Sequence, residues 1–113
     1  MHIAVFEVMQ PVHERAEKRL GRRYALGFEA TRLTVQRSGP VRPSSVHLED
    51  FATHDDLLAN VKDKLKRRIY HGYVLIWWSD GFLLLAWLRE QECPVEHRAI
   101  IPPGIQLELP LLD

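Results

Sequence analysis

The chain is poor in the residues that usually announce a function. It has one cysteine, Cys93, in 113 residues, which excludes a disulfide framework and a thiolate metal cluster and fits a reducing cytoplasm. It has no net charge at neutral pH, so no overall attraction to a polyanion follows from its total charge. Its longest apolar runs, "YVLIWW" and "FLLLAWL", are split by "SDG", and neither has the length of a membrane span. "MHIAVFEVMQ" carries no basic start and no small-residue cleavage site, so no secretory signal is expected. No glycine-rich phosphate loop is present; "SDG" and "SGP" are ordinary turns.

What is there fits one globular domain. Apolar residues make up 46% and charged residues 27%, ordinary proportions for a packed fold. The zero net charge hides an asymmetry: residues 1–73 carry a balance of +4 and residues 74–113 a balance of −4. A basic front and an acidic rear suggest a polyanion-facing surface, although a solvated surface explains +4 equally well.

"HIAVFEVM" reads as a strand by its alternation, and "HERAEKRLG" as a short helix ended by Gly21. "RYALGFE" and "TRLTVQR" read as a hairpin around Ala30, with Leu33 and Val35 alternating against Thr34 and Gln36 in the manner of a half-buried strand. "SVHLEDF" resumes the alternation through Val46 and Leu48. A helix is expected over 54–70, with Thr53 as N-cap. Leu57, Val61, Leu65 and Ile69 form its apolar stripe, Asp55 and Asp56 sit at its positive end, and basic residues sit at its negative end. "YVLIWW" is a further buried strand. Ser79 or Asp80 is placed to cap a helix over "FLLLAWLREQE", with a strand as the alternative. The fold class is therefore α+β: a twisted antiparallel sheet with one main amphipathic helix, plus a C-terminal helix or strand and an extended tail. The boundaries are a domain over 1–101 and a Pro/Gly spacer with its tail over 102–113.

"RRYALGFEATRLTVQRSGP" followed by "LEDFATHDDLLANVKDKLKRRIYHGYV" resembles the WGR domain, a small sheet-and-helix module of DNA-damage-responsive poly(ADP-ribose) polymerases and of short bacterial proteins. Phe51 matches the aromatic before the helix, Lys62 to Arg68 the basic helix end, and Gly72-Tyr73 its exit. Where the family has Trp-Gly-Arg, this chain has Ser38-Gly39-Pro40, with Arg37 before and Arg42 after. The resemblance implies nucleic-acid binding. With the Trp and the Arg of that turn replaced, Arg37, Arg42, Lys64, Arg67 and Arg68 are left to meet phosphates without reading bases.

The last residues carry a second resemblance. Gln106-Leu107-Glu108-Leu109-Pro110-Leu111 is similar to the peptide by which bacterial replication regulators bind the DNA polymerase sliding clamp. An extended peptide of this kind drops alternate side chains into pockets. The resemblance implies Gln106 as the anchor, Leu107, Leu109 and Leu111 as apolar contacts, and Pro110 as the residue that pre-sets the backbone. Together the two point to a DNA replication or repair accessory docked on the clamp; the alternative is a WGR-type nucleic-acid-binding module whose tail is structural.

No enzyme is read from these residues. His54, Asp55 and Asp56 are helix neighbours that fan out rather than converge. The six histidines lack ligand spacing, so neither metal nor cofactor is expected. Cys93 and His97 lack a third group and an oxyanion hole. Trp77, Trp78 and Trp87 lie in apolar runs, which favours core packing over base stacking.

Overall fold

A computed structural model describes residues 1–9, 20–40 and 42–107. The expected short helix in "HERAEKRLG" lies almost wholly outside them, as do Glu108, Leu109, Pro110 and Leu111.

Among the described residues, five strands form one antiparallel sheet: β1 (His2–Val8), β2 (Arg23–Glu29), β3 (Arg32–Gly39), β4 (Arg42–Asp50) and β5 (Tyr73–Trp78), in the order β4-β3-β2-β1-β5. Helix α1 (His54–Tyr70) connects β4 to β5, and a short α2 (Leu85–Glu90) follows. No helix among the described residues is long and apolar enough to cross a membrane.

The β2–β3 hairpin turns at Ala30, which takes φ 53°. Thr53 caps α1 as its sequence predicts: its Oγ1 accepts from the Asp56 N–H at 3.1 Å. Leu57, Val61 and Leu65 are fully buried against the sheet, and Ile69 is partly buried one turn on. With Ala4, Phe6, Tyr24, Leu26, Phe28, Leu33 and Leu75 they make the main core.

α2 begins later than "FLLLAWLREQE" suggests, and neither Ser79 nor Asp80 caps it. Its N-cap is Leu84, without a side-chain hydrogen bond. Ser79 is engaged elsewhere: its Oγ accepts from the Ile3 N–H at 2.9 Å and donates to the Ile3 carbonyl at 3.3 Å.

The opposite face of the sheet also differs from its expected half-exposed state. Ile3, Val5, Ala25, Ile76 and Leu107 form a second, smaller core there. Thr34 and Gln36 are buried as well. For Gln36 the cause is the segment after Pro102, expected as a spacer leading to a projecting tail. It is instead held against this face as far as Leu107, with Ile105 packed beside it. Gln36 fixes it with both ends of its amide: Nε2 donates to the Gly104 carbonyl at 2.7 Å, and Oε1 accepts from the Gln106 N–H at 2.6 Å. A buried amide is stable only with such partners.

Candidate nucleic-acid interface

β2 and β3 pair so that Tyr24 stands opposite Arg37 and Arg23 opposite Ser38. Tyr24 points to the helix side and is fully buried. There it meets α1 and β5. The Arg68 guanidinium lies 4.4 Å from the centre of the Tyr24 ring and 5.8 Å from that of Tyr73, and Arg37 lies 5.7 Å from Tyr24. The two tyrosines contact edge to face at 6.3 Å. Aromatic rings attract and orient guanidinium groups, so the tyrosines hold two arginine heads at one place.

Arg22 and Arg23 complete the cluster from the start of β2. The four arginines line a cleft of about 310 Å³ together with Ser38, Pro43, Ser45 and Tyr73. Arg23 is neutralised: its Nε donates to Glu7 Oε1 at 2.8 Å, and Glu7 also receives Arg98 at 3.1 Å. Among the described residues, Arg22, Arg37 and Arg68 have no ion pair, and no carboxylate lines the cleft. The Arg68 Nε is buried without a hydrogen-bond partner, and the Tyr24 hydroxyl is buried with no well-formed hydrogen bond beside Arg37. Burial pushes the Tyr24 phenol above its ordinary value, and the charges of Arg68 and Arg37 pull against it.

The expected phosphate-contacting residues are thus divided. Arg37 and Arg68 come together. Lys64, one helical turn before Arg68, leans instead to Glu49 at 3.6 Å. It lines a neighbouring hollow of about 480 Å³ that shares Arg37 and Ser45 with the first and adds His47 and Glu49. Arg67 is exposed on α1 outside both hollows. Arg42 lies on β4 opposite Gly39, and its side chain is outside the description. Arg22 and Arg23 were not singled out from the sequence. The signal was present in "RRY", which the hairpin lays beside "QRS".

The tail residues divide too. Leu107 is fully buried, next to Gly27, where an added Cβ would stand 3.5 Å from the leucine methyl. Gln106 keeps an exposed side chain while its backbone is tied to Gln36. Cys93 is buried; its thiol donates to the Pro94 carbonyl at 3.4 Å, and burial raises its pKa. No group of three or more potential metal ligands occurs among the described residues.

Chemically, the cleft offers positive charge and forked N–H donors with no counter-ion among the described residues, the requirement for binding phosphate oxygens. No protein-family model, no curated protein and no solved structure matches the chain.

Proposed function

We propose that this protein is a cytoplasmic, non-enzymatic nucleic-acid-binding module of WGR type, which holds phosphate groups in the cleft between the start of β2, the end of β3 and the end of α1. The observation that carries this reading is the set of three arginines, Arg22, Arg37 and Arg68, converging on one hollow without a carboxylate among the described residues. Ordinary surface arginines are interspersed with acids. Here the local acid, Glu7, is taken up by Arg23 and Arg98. Recognition is by backbone charge, so it is indifferent to base sequence. Fluorescence anisotropy with labelled duplex and single-stranded DNA at low salt tests it. Binding by the wild type that is lost on replacing Arg22, Arg37 and Arg68 with Gln supports the reading; equal binding by the variant, or none by the wild type, removes it.

A second reading is docking on the bacterial sliding clamp through Gln106, Leu107, Leu109, Pro110 and Leu111. The exposed Gln106 side chain favours it. Clamp docking through Leu107 requires that residue to leave the second core, so the free peptide 104–113 should bind a purified clamp more tightly than the intact chain does. Equal or absent binding of the peptide removes this reading.

A further inference from the structure

α1 crosses one face of the sheet without covering all of it. Leu33 and Val35 of β3 are buried with the α1 stripe, whereas Ser45 and His47 of β4 stay exposed. In the β3–β4 register, Glu49, His47 and Ser45 stand opposite Leu33, Val35 and Arg37. Directly opposed residues of paired strands share a face. Ser45, His47 and Glu49 therefore form a row on the helix side of the sheet, and α1 supplies the other wall of a groove. That wall carries Lys64 and Arg68, one helical turn apart. Lys64 stands beside Glu49 at 3.6 Å, and Arg68 shares the arginine cleft with Arg37 and Ser45. The two hollows are thus one groove, joined at Arg37 and Ser45.

The charges in the groove are unequal. Arg22, Arg37, Arg68 and Lys64 line it, and Glu49 is its one carboxylate among the described residues. Glu49 sits against the cation that would otherwise extend the row of arginines. The contact contributes little to the fold, because the pair is long and both side chains keep access to water, at 23% and 37% exposure. It has a second consequence. A carboxylate oxygen and a phosphate oxygen ask the same of an ammonium group, a short charge-assisted N–H contact.

We infer that Lys64, His47 and Arg37 form a second phosphate subsite beside the arginine cleft, and that the Glu49 carboxylate occupies it in the free protein and is displaced by the nucleic-acid backbone. The inference rests on the reading of the arginine cleft as a phosphate site and adds its neighbour and its competitor. Lys64 and Arg68 have Cβ atoms about 5–6 Å apart, a spacing that one sugar between neighbouring phosphates can bridge. A phosphate held by the arginines therefore brings the next one to Lys64. Two anions then compete for one ammonium group, and Glu49 is free to turn to solvent. A lone phosphate in the arginine cleft leaves Glu49 where it is. The groove thereby favours a strand of linked phosphates over the free ion.

Fluorescence anisotropy with one labelled DNA duplex at low salt tests this on the full chain, comparing the wild type with Glu49→Gln, Lys64→Gln and the double variant. Glu49→Gln keeps the shape of the side chain and removes the competitor. Binding should tighten about fivefold, with the urea midpoint unchanged. Lys64→Gln should weaken binding, and in that background Glu49→Gln should gain far less, since no masked cation is left to release. Asp50→Asn is the control. It removes the same charge one residue away, on the opposite face, where Asp50 pairs with Arg32 at 3.0 Å, and it should leave affinity nearly unchanged. A Glu49→Gln variant that binds no tighter than a wild type still dependent on Arg22, Arg37 and Arg68 overturns this inference and leaves the arginine cleft standing. An equal gain from Asp50→Asn, or an undiminished gain in the Lys64→Gln background, also overturns it, because net charge then accounts for the effect. No binding by the wild type or by any variant overturns both.

Discussion

The Arg68 guanidinium rests 4.4 Å from the centre of the buried Tyr24 ring, whose hydroxyl makes no well-formed hydrogen bond and has the Arg37 guanidinium as its polar neighbour. The ring holds the cation in place, while the hydroxyl gains no more than a weak contact with Arg37. An unpaired buried hydroxyl costs about 1–3 kcal/mol. Tyr24→Phe should therefore fold with stability equal to or above that of the wild type at neutral pH, measured by urea denaturation. A loss above about 1 kcal/mol would mean that the hydroxyl is bonded.

The same residue sets an alkaline limit. Burial raises the phenol's pKa on folding. The contribution of its neutral form is whole below the unfolded value of about 10 and is lost as the pH climbs through the folded value. Wild-type stability should fall more steeply than that of Tyr24→Phe above pH 10. Parallel curves would show that Tyr24 ionises as freely in the fold as out of it.

Leu65 is buried at the centre of the α1 stripe. Leu65→Ala should cost roughly 2–5 kcal/mol. A near-neutral result would mean that the stripe does not pack on the sheet.

Leu107 gives a sharper comparison because it was expected in a tail free of the core. With its side chain fully buried, Leu107→Ala should cost about 2 kcal/mol, the lower end of the range for a core leucine, since a chain segment near its end relaxes easily. Gln36→Ala should lower stability as well, by releasing Gly104 and Gln106. Unchanged stability in both variants would mean that residues 104–107 are not held on the sheet.

The parts of the fold legible in the sequence were those set by local pattern. Leu57, Val61 and Leu65 repeat every four residues behind Thr53, so α1 could be placed nearly to the residue. The strands followed from alternation and turn residues. What stayed hidden depended on which distant segment covers a face. Gln36 looks like the wet side of a strand, yet it is buried where residues 104–106 return and bond its amide. Ser79 looks like a helix cap, and only the neighbouring β1 backbone draws it away. The site was half legible for the same reason. Arg37 and Arg68 were chosen by charge, but Arg22 joins them through strand pairing, and Lys64 is drawn off by Glu49.

Cys93 is buried with its pKa raised by desolvation. A thiol kept protonated is a poor nucleophile, so labelling by a thiol reagent at neutral pH should be slow in the native protein and fast in denaturant. Rapid native labelling would point to an exposed, reactive thiol instead.

The central claim is that Arg22, Arg37 and Arg68 bind phosphate groups together. Its most direct measurement is the salt dependence of duplex DNA binding for the wild type and for the triple Arg→Gln variant. The logarithm of the binding constant should fall with the logarithm of salt concentration for the wild type. The slope should shrink by roughly 0.9 for each phosphate contact removed, close to three in all, while the variant keeps its folded circular dichroism. An unchanged slope, or a wild type that binds no nucleic acid at low salt, would contradict the claim.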